Sequence, residues 1–209
     1  MKIDEVKEMV IKGKAKIVPG LVQAALDEGS AAADILNAMI DSMGVVGDRF
    51  KNNEIFVPEM LVAARAMKKG VEVLKPYLGG GSTGVCGKFI IGSVAGDLHD
   101  IGKNLVAMMI ESAGFEVIDL GVDVPIEKFI DTIRATPDCR VVGLSALLTT
   151  TMPSLRATVE ALNAQDFRDR IKVMVGGAPI TQEFADEIGA DAYTADAASA
   201  AQKAKDLVA

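Results

Sequence analysis

From residue 89 to its end the chain repeats one pattern five times: a short run rich in Val and Ile, a turn, then apolar residues at helical spacing. Runs without a polar face are strands buried on both sides, and parallel strands need a crossover helix between them. The spacing predicts strands at 89–94, 116–120, 141–145, 172–175 and 192–194. Helices are expected at about 102–112, 126–134, 153–163, 181–188 and 197–208. Five such units fit a flavodoxin-like (Rossmann-like), doubly wound α/β domain with a five-stranded parallel sheet.

Residues 1 to about 77 contain no convincing strand, and their apolar positions recur at helical spacing. Asp4 is expected to cap a first helix through Val6, Met9 and Val10, and Pro19 suits the first turn of a second carrying Leu21, Val22, Ala25 and Leu26. Gly29 then ends that helix and Ser30 caps a third, through Ile35, Leu36, Met39, Ile40 and Met43, with Gly44 and Gly47 weakening its end. A fourth starts at about Pro58 and continues through Met60, Leu61, Ala64, Met67 and Val71 to Leu74, before Pro76 stops it. The expected organisation is a four-helix bundle at 1–78, a glycine-rich linker at 79–87 and the α/β domain at 88–209.

Half of the 209 residues are apolar, ample for a real core. A formal charge of −7 argues against binding to nucleic acid phosphates or anionic membrane, both of which need a basic face. No apolar run approaches the roughly 20 residues that span a bilayer, and the first eight residues are too charged for a signal peptide, so a cytoplasmic protein is expected. Cys86 and Cys139 lie far apart and belong to no cluster, which argues against a disulfide framework or structural zinc site.

Several chemistries fail on spacing. The one Gly-Lys pair, Gly87-Lys88, precedes the first strand and is followed by Phe89, so it is no phosphate loop. The loop after the first strand lacks Gly-x-Gly-x-x-Gly, and no Gly-x-Ser-x-Gly elbow occurs. What that loop does hold is the sole histidine, in Gly96-Asp97-Leu98-His99-Asp100-Ile101-Gly102-Lys103-Asn104. Open α/β sheets bind their ligands at the carboxyl ends of strands, where this loop falls. A metal-ligating histidine commonly gives its other ring N–H to a carboxylate, and Asp97 is two residues away. Gly102 leaves the backbone free to approach a large ligand.

Two later segments fall on the same rim. After the third strand, Ser145 to Pro153 clusters hydroxyls around Leu147 and Leu148; after the fourth comes Gly176-Gly177-Ala178-Pro179. Singly, they are as readily helix caps and a turn. Together they leave room for something wide and flat beside a histidine.

Across nearly its whole length the chain resembles the cobalamin-binding module of cobalamin-dependent methionine synthase and the corrinoid proteins of methyltransferase systems using methylamines, methanol, betaines or aryl methyl ethers. Helical cap, glycine linker, Asp97-x-His99-x-x-Gly102, Ser145-x-Leu147 and Gly176-Gly177 carry the resemblance. It implies that His99 replaces the cofactor's own base as the lower cobalt ligand (base-off/His-on), with Asp100, Ile101 and Gly102 beside it. The displaced nucleotide tail would run past Ser145, Leu147, Thr149, Gly176 and Gly177. Asp97 and a hydroxyl at Thr151, where methionine synthase has serine, would complete a relay to His99. The bundle would cover the methyl-bearing face, with Met60, Ala64 and Met67 on one helical stripe and Phe56 and Val57 nearby; that stripe is equally readable as bundle core.

The implied function is a methyl carrier rather than a complete enzyme. Cob(I)alamin would accept a methyl group from a substrate presented by a specific methyltransferase, and methylcobalamin would pass it to a second methyltransferase of tetrahydrofolate or thiol type. A reductive activator is a further expected partner. The alternatives are the small subunit of an adenosylcobalamin-dependent mutase, which generally lacks the helical cap, and a cobalamin-dependent sensor, against which the absence of a basic helix speaks.

Overall fold

The computed structural model describes residues 2–78 and 86–209, which fall into two compact units, one helical and one α/β. Of the expected linker only Cys86 and Gly87 lie within the described residues.

The helical unit contains α1 (Lys2–Ile11), α2 (Val18–Asp27), α3 (Ala32–Lys51) and α4 (Val57–Leu74), followed by a 3-10 turn at Lys75–Tyr77 that contains Pro76. Each helix contributes one apolar stripe. Val6 and Val10 of α1, Val22 and Ala25 of α2, Ile35, Met39 and Met43 of α3, and Met60, Ala64 and Met67 of α4 are all buried. A Cβ at Gly70 would collide with Met39 Cε and Val18 Cγ1, so the missing side chain lets α4 approach α2 and α3.

Three details depart from the sequence reading. Asp4 lies inside the first turn of α1, where its charge still suits the positive helix end, instead of capping it. Ser30 does not cap α3; the N-cap is Ala31, with no side-chain bond. And α3 continues through Gly44 and Gly47 to Lys51, because Val46 is buried and its packing outweighs the cost of about 1 kcal/mol for each glycine.

The α/β unit runs β1 (Lys88–Ser93), α5 (Ile101–Ser112), β2 (Glu116–Asp119), α6 (Ile126–Ala135), β3 (Cys139–Ser145), α7 (Met152–Asn163), β4 (Lys172–Gly176), α8 (Gln182–Ile188), β5 (Ala192–Tyr193) and α9 (Ala197–Val208). The strands are parallel in the order β2-β1-β3-β4-β5. Chain direction across the sheet reverses between β1 and β3, which opens a crevice at their carboxyl ends. Register brings three loops there to one level: Ser93 stands opposite Ser145, and Ser145 opposite Gly176.

Beneath that rim the core is continuous. Ile90, Val142, Leu144, Val173 and Val175 of the sheet pack with Phe129 and Ile133 of α6 and with Leu155, Val159 and Leu162 of α7. The fully buried Cys139 has its thiol pushed up to about 11, mainly by burial, so it behaves as a small apolar group. Among the described residues no helix is long and apolar enough to cross a membrane.

Candidate functional site

The loop carrying the histidine is built outward from β1. Val94 pairs with Val124 and its N–H donates to Ser145 O at 3.0 Å, so the chain leaving β1 is still tied to both neighbouring loops. Asp97 N–H then turns back to Val94 O at 3.0 Å. The fully buried hydroxyl of Ser93 donates to the backbone carbonyl of His99 at 2.7 Å. The histidine backbone is thus fixed from beneath.

Asp97 is fully buried and its two carboxylate oxygens divide their work. Oδ1 accepts the backbone N–H of His99 at 3.0 Å and meets ring atom Nδ1 at 2.8 Å. Oδ2 accepts the backbone N–H of Leu147 at 2.6 Å and the hydroxyl of Thr151 at 2.8 Å. Burial pushes this carboxyl up, but the Leu147 and His99 amides, the Thr151 hydroxyl and the His99 ring together hold it down at about 2. It is therefore ionised at neutral pH and can only accept. Nδ1 must carry the ring hydrogen, which leaves the lone pair of Nε2 for a ligand, on a side chain 47% exposed.

The surroundings of His99 are apolar and open. Leu98 is 72% and Ile101 86% exposed, and Leu147 and Leu148 are each 41% exposed. Large apolar side chains grouped in solvent on two adjacent loops mark a surface awaiting a ligand. Asp100 is exposed and accepts from Asn104 Nδ2 at 3.2 Å. Thr149 is exposed at the start of a 3-10 turn, Thr149–Thr151, which delivers Thr151 inward to Asp97. Ser145 is half-buried at the rim.

Glycines shape the remaining edge. A Cβ at Gly102 would meet nothing within 4 Å, so the space beside the start of α5 is open. At Gly176 it would come 3.4 Å from Thr194 O. Gly177 has φ +135° and any side chain there would run into the Ala146 carbonyl. Only glycine fits that turn.

These features fit a corrinoid. Among the described residues no group of three or more His, Cys, Asp or Glu side chains converges as a metal cage. A corrin ring brings its own nitrogen ligands to cobalt, and the apolar loops beside His99 suit such a wide ring. Met60, Ala64 and Met67 lie in the helical unit, all buried, whereas Phe56 is exposed at the start of α4 and Val57 is partly so.

Several of these partners carry no residue-type signal. The Ser93 hydroxyl and the Leu147 amide carry no motif, and the exposed Leu98 and Leu148 were visible only as apolar residues in a loop. Lys103, in the first turn of α5, is buried and bonds Asp119 Oδ2 at 2.6 Å and Asn104 Oδ1 at 2.7 Å, tying α5 to the end of β2. A lysine beside apolar positions was its sole signal.

Residues 87–204 match the family described as B12 binding domain, and residues 2–75 match a second family of the same description. The chain is 41% identical over 208 residues to the dimethylamine corrinoid protein of Methanosarcina barkeri, covering 99% of this chain and 97% of that one. It superposes with a TM-score of 0.83 on a cobalamin-binding protein from Desulfitobacterium hafniense DCB-2, at 31% identity over 99% of this chain and 98% of the other. The methanol:cobalamin methyltransferase complex MtaBC of Methanosarcina barkeri gives 0.84 at 28% identity, over 99% of this chain and 79% of the matched chain. A buried aspartate orienting a lone histidine at a parallel-sheet switch point thus has its family: the chain belongs to the B12-binding corrinoid proteins of methyltransferase systems.

Proposed function

We propose that this protein carries a methyl group between two methyltransferases, with His99 as the protein ligand of its cobalt. The observation that carries the reading is the imidazole of His99, held through Nδ1 by an ionised, buried Asp97 and open at Nε2. The relatives' names, a dimethylamine corrinoid protein and a methanol:cobalamin methyltransferase complex, favour a carrier over a mutase subunit or a sensor.

Bound cobalamin supplies a cobalt nucleophile that takes up and gives back a methyl group; the protein supplies binding, orientation and the lower ligand. Nε2 of His99 is the atom that would face the metal, because Nδ1 is engaged by the Asp97 carboxylate. His99 would hold the cobalt through Nε2, while the Asp97 carboxylate holds the opposite ring nitrogen at 2.8 Å and so fixes the ring's orientation. Thr151 donates to the other oxygen of that carboxylate and holds it in place. Leu98, Ile101 and Leu147, exposed beside His99, would hold the corrin, and Ser145, Thr149, Gly176 and Gly177 would line its nucleotide tail.

The donor-side partner we propose is a methyltransferase for a methylated amine, dimethylamine first. The proposed acceptor-side partner is a methyltransferase of tetrahydrofolate or thiol type, and a reductive activator is a further proposed partner. Met60, Ala64 and Met67 are buried in the apolar stripe of α4, and of the residues expected near the methyl-bearing face Phe56 and Val57 are the exposed ones.

The test begins with the protein purified with bound corrinoid. His99→Gly should change the optical spectrum and midpoint potential; an unchanged spectrum would exclude His99 as ligand. Methyl transfer to the reduced holoprotein, measured with methylamines, betaines, methanol and methoxyarenes and their methyltransferases, then identifies the donor. Failure with every donor would overturn the carrier reading.

A further inference from the structure

The turn between β2 and α6 holds a residue outside the ligand-bearing loops that grips the Asp97 segment from both sides. Asp123 accepts the backbone N–H of Gly96 on its carboxylate Oδ1 at 2.7 Å, and its own N–H donates to the backbone carbonyl of Asp97 at 2.9 Å. One residue thus holds the amide entering the Gly96-Asp97 dipeptide and the carbonyl leaving it. The two turns also run alongside each other, with Ser93 N–H donating to Gly121 O and Val124 N–H to Ser93 O, each at 3.0 Å.

Both ends of the clamp sit in left-handed backbone. Asp123 has φ +51°, and Asn53 is the other non-glycine residue of this kind among the described residues. Gly96 has φ +84°. Side chains adopt this region at a cost, smallest for Asp and Asn, and such strain persists where surrounding contacts dictate it. Asp123 is exposed, so core packing does not dictate it here. What its conformation achieves is the double contact to residues 96 and 97.

We infer that Asp123 is a positioning residue for the Asp97–His99 pair, fixing the backbone from which Asp97 reaches Nδ1 and thereby the direction of Nε2. This rests on His99 being the cobalt ligand. It goes beyond that reading by assigning part of the ligand's orientation to a third strand loop. A mere turn brace would affect stability alone.

Three variants separate the possibilities. Asp123→Asn keeps an oxygen acceptor and tolerates the left-handed backbone; Asp123→Gly relaxes the backbone but loses the acceptor; Asp123→Ala loses both. In the cofactor-free protein the readouts are hydrogen exchange at the Gly96 amide and the nitrogen-15 shifts of the His99 imidazole. In the holoprotein the readout is the optical signature of histidine ligation, with His99→Ala as reference. We expect Asp123→Asn to match the native protein. Asp123→Gly and Asp123→Ala should lose Gly96 protection, shift the imidazole nitrogens and weaken ligation by roughly threefold to tenfold, below the 10- to 100-fold typical of losing a ligand's direct carboxylate partner. A native ligation spectrum and native imidazole shifts in Asp123→Gly overturn the inference. If His99→Ala itself leaves the spectrum unchanged, the ligand reading has failed, and the imidazole shifts of the cofactor-free variants still decide whether Asp123 orients the ring.

Discussion

The hydroxyl of Thr151 stands 2.8 Å from Oδ2 of Asp97, although 54 residues separate them. Its single hydrogen has a second acceptor in reach, Leu148 O at 2.9 Å. Thr151→Val removes the donor and leaves Oδ2 with the Leu147 amide alone, at a cost of about 1–2 kcal/mol in unfolding free energy. Thr151→Ser keeps the hydroxyl and loses one buried methyl, costing about 0.8 kcal/mol. Urea denaturation of the cofactor-free proteins should rank them native, Ser, Val. A Thr151→Val protein as stable as the native one would mean that the hydroxyl contributes nothing beyond its volume.

Acid should act through Asp97. Its carboxyl falls from the ordinary 3.8 to about 2 on folding, so it favours the folded state at any pH above the ordinary value. That contribution, about 2 kcal/mol, fades as pH falls from about 4 towards 2, where the folded form also takes up its proton. The cofactor-free native protein should therefore lose stability faster than Asp97→Asn over this interval. Parallel acid limbs for the two proteins would refute the link.

The Lys103–Asp119 pair should respond asymmetrically to mutation. Lys103 is buried, whereas the Asp119 side chain is 38% exposed. Asp119→Asn strands a buried cation, at a cost of about 3 kcal/mol; Lys103→Met leaves a carboxylate that water can reach, and costs about 1 kcal/mol. The cation also sits in the first turn of α5, the end of a helix that favours anions, which sharpens the difference. Thermal midpoints of both variants check the order, and a larger loss in Lys103→Met would contradict it.

Gly177→Ala tests the rim. The new methyl group would enter the Ala146 carbonyl at a φ of +135°, and strain of this kind costs of order 1–3 kcal/mol. Because Ala146 N–H donates to Gly176 O, relief by moving the turn would disturb the loop that carries Leu147. Corrinoid affinity should fall together with stability. Native affinity at reduced stability would separate this turn from the ligand.

Legibility of the sequence followed the kind of interaction involved. Strands rich in Val and Ile were placed to within a residue or two, because burial on both faces leaves a continuous signal. Helix starts were harder: Asp4 and Ser30 are good capping residues by type, yet the cap depends on the backbone angles of one residue, and Ala31 took the place of Ser30 without any side-chain bond. Asp97 and His99 could be paired from sequence because they are neighbours. The Thr151 hydroxyl came only from family resemblance. The Leu147 amide and the Asp123 carboxylate reach the site across 50 and 27 residues, and a backbone amide has no residue-type signature at all.

Both borders of the sheet are short. β2 has four residues, and β5 has two, paired only through Met174–Ala192 and Val175–Tyr193. Short borders leave little unpaired backbone onto which another chain could add a strand, the route by which transient encounters become lasting aggregates. For a corrinoid protein of a methyltransferase system, borders this short keep an encounter with a methyltransferase from locking into a shared sheet.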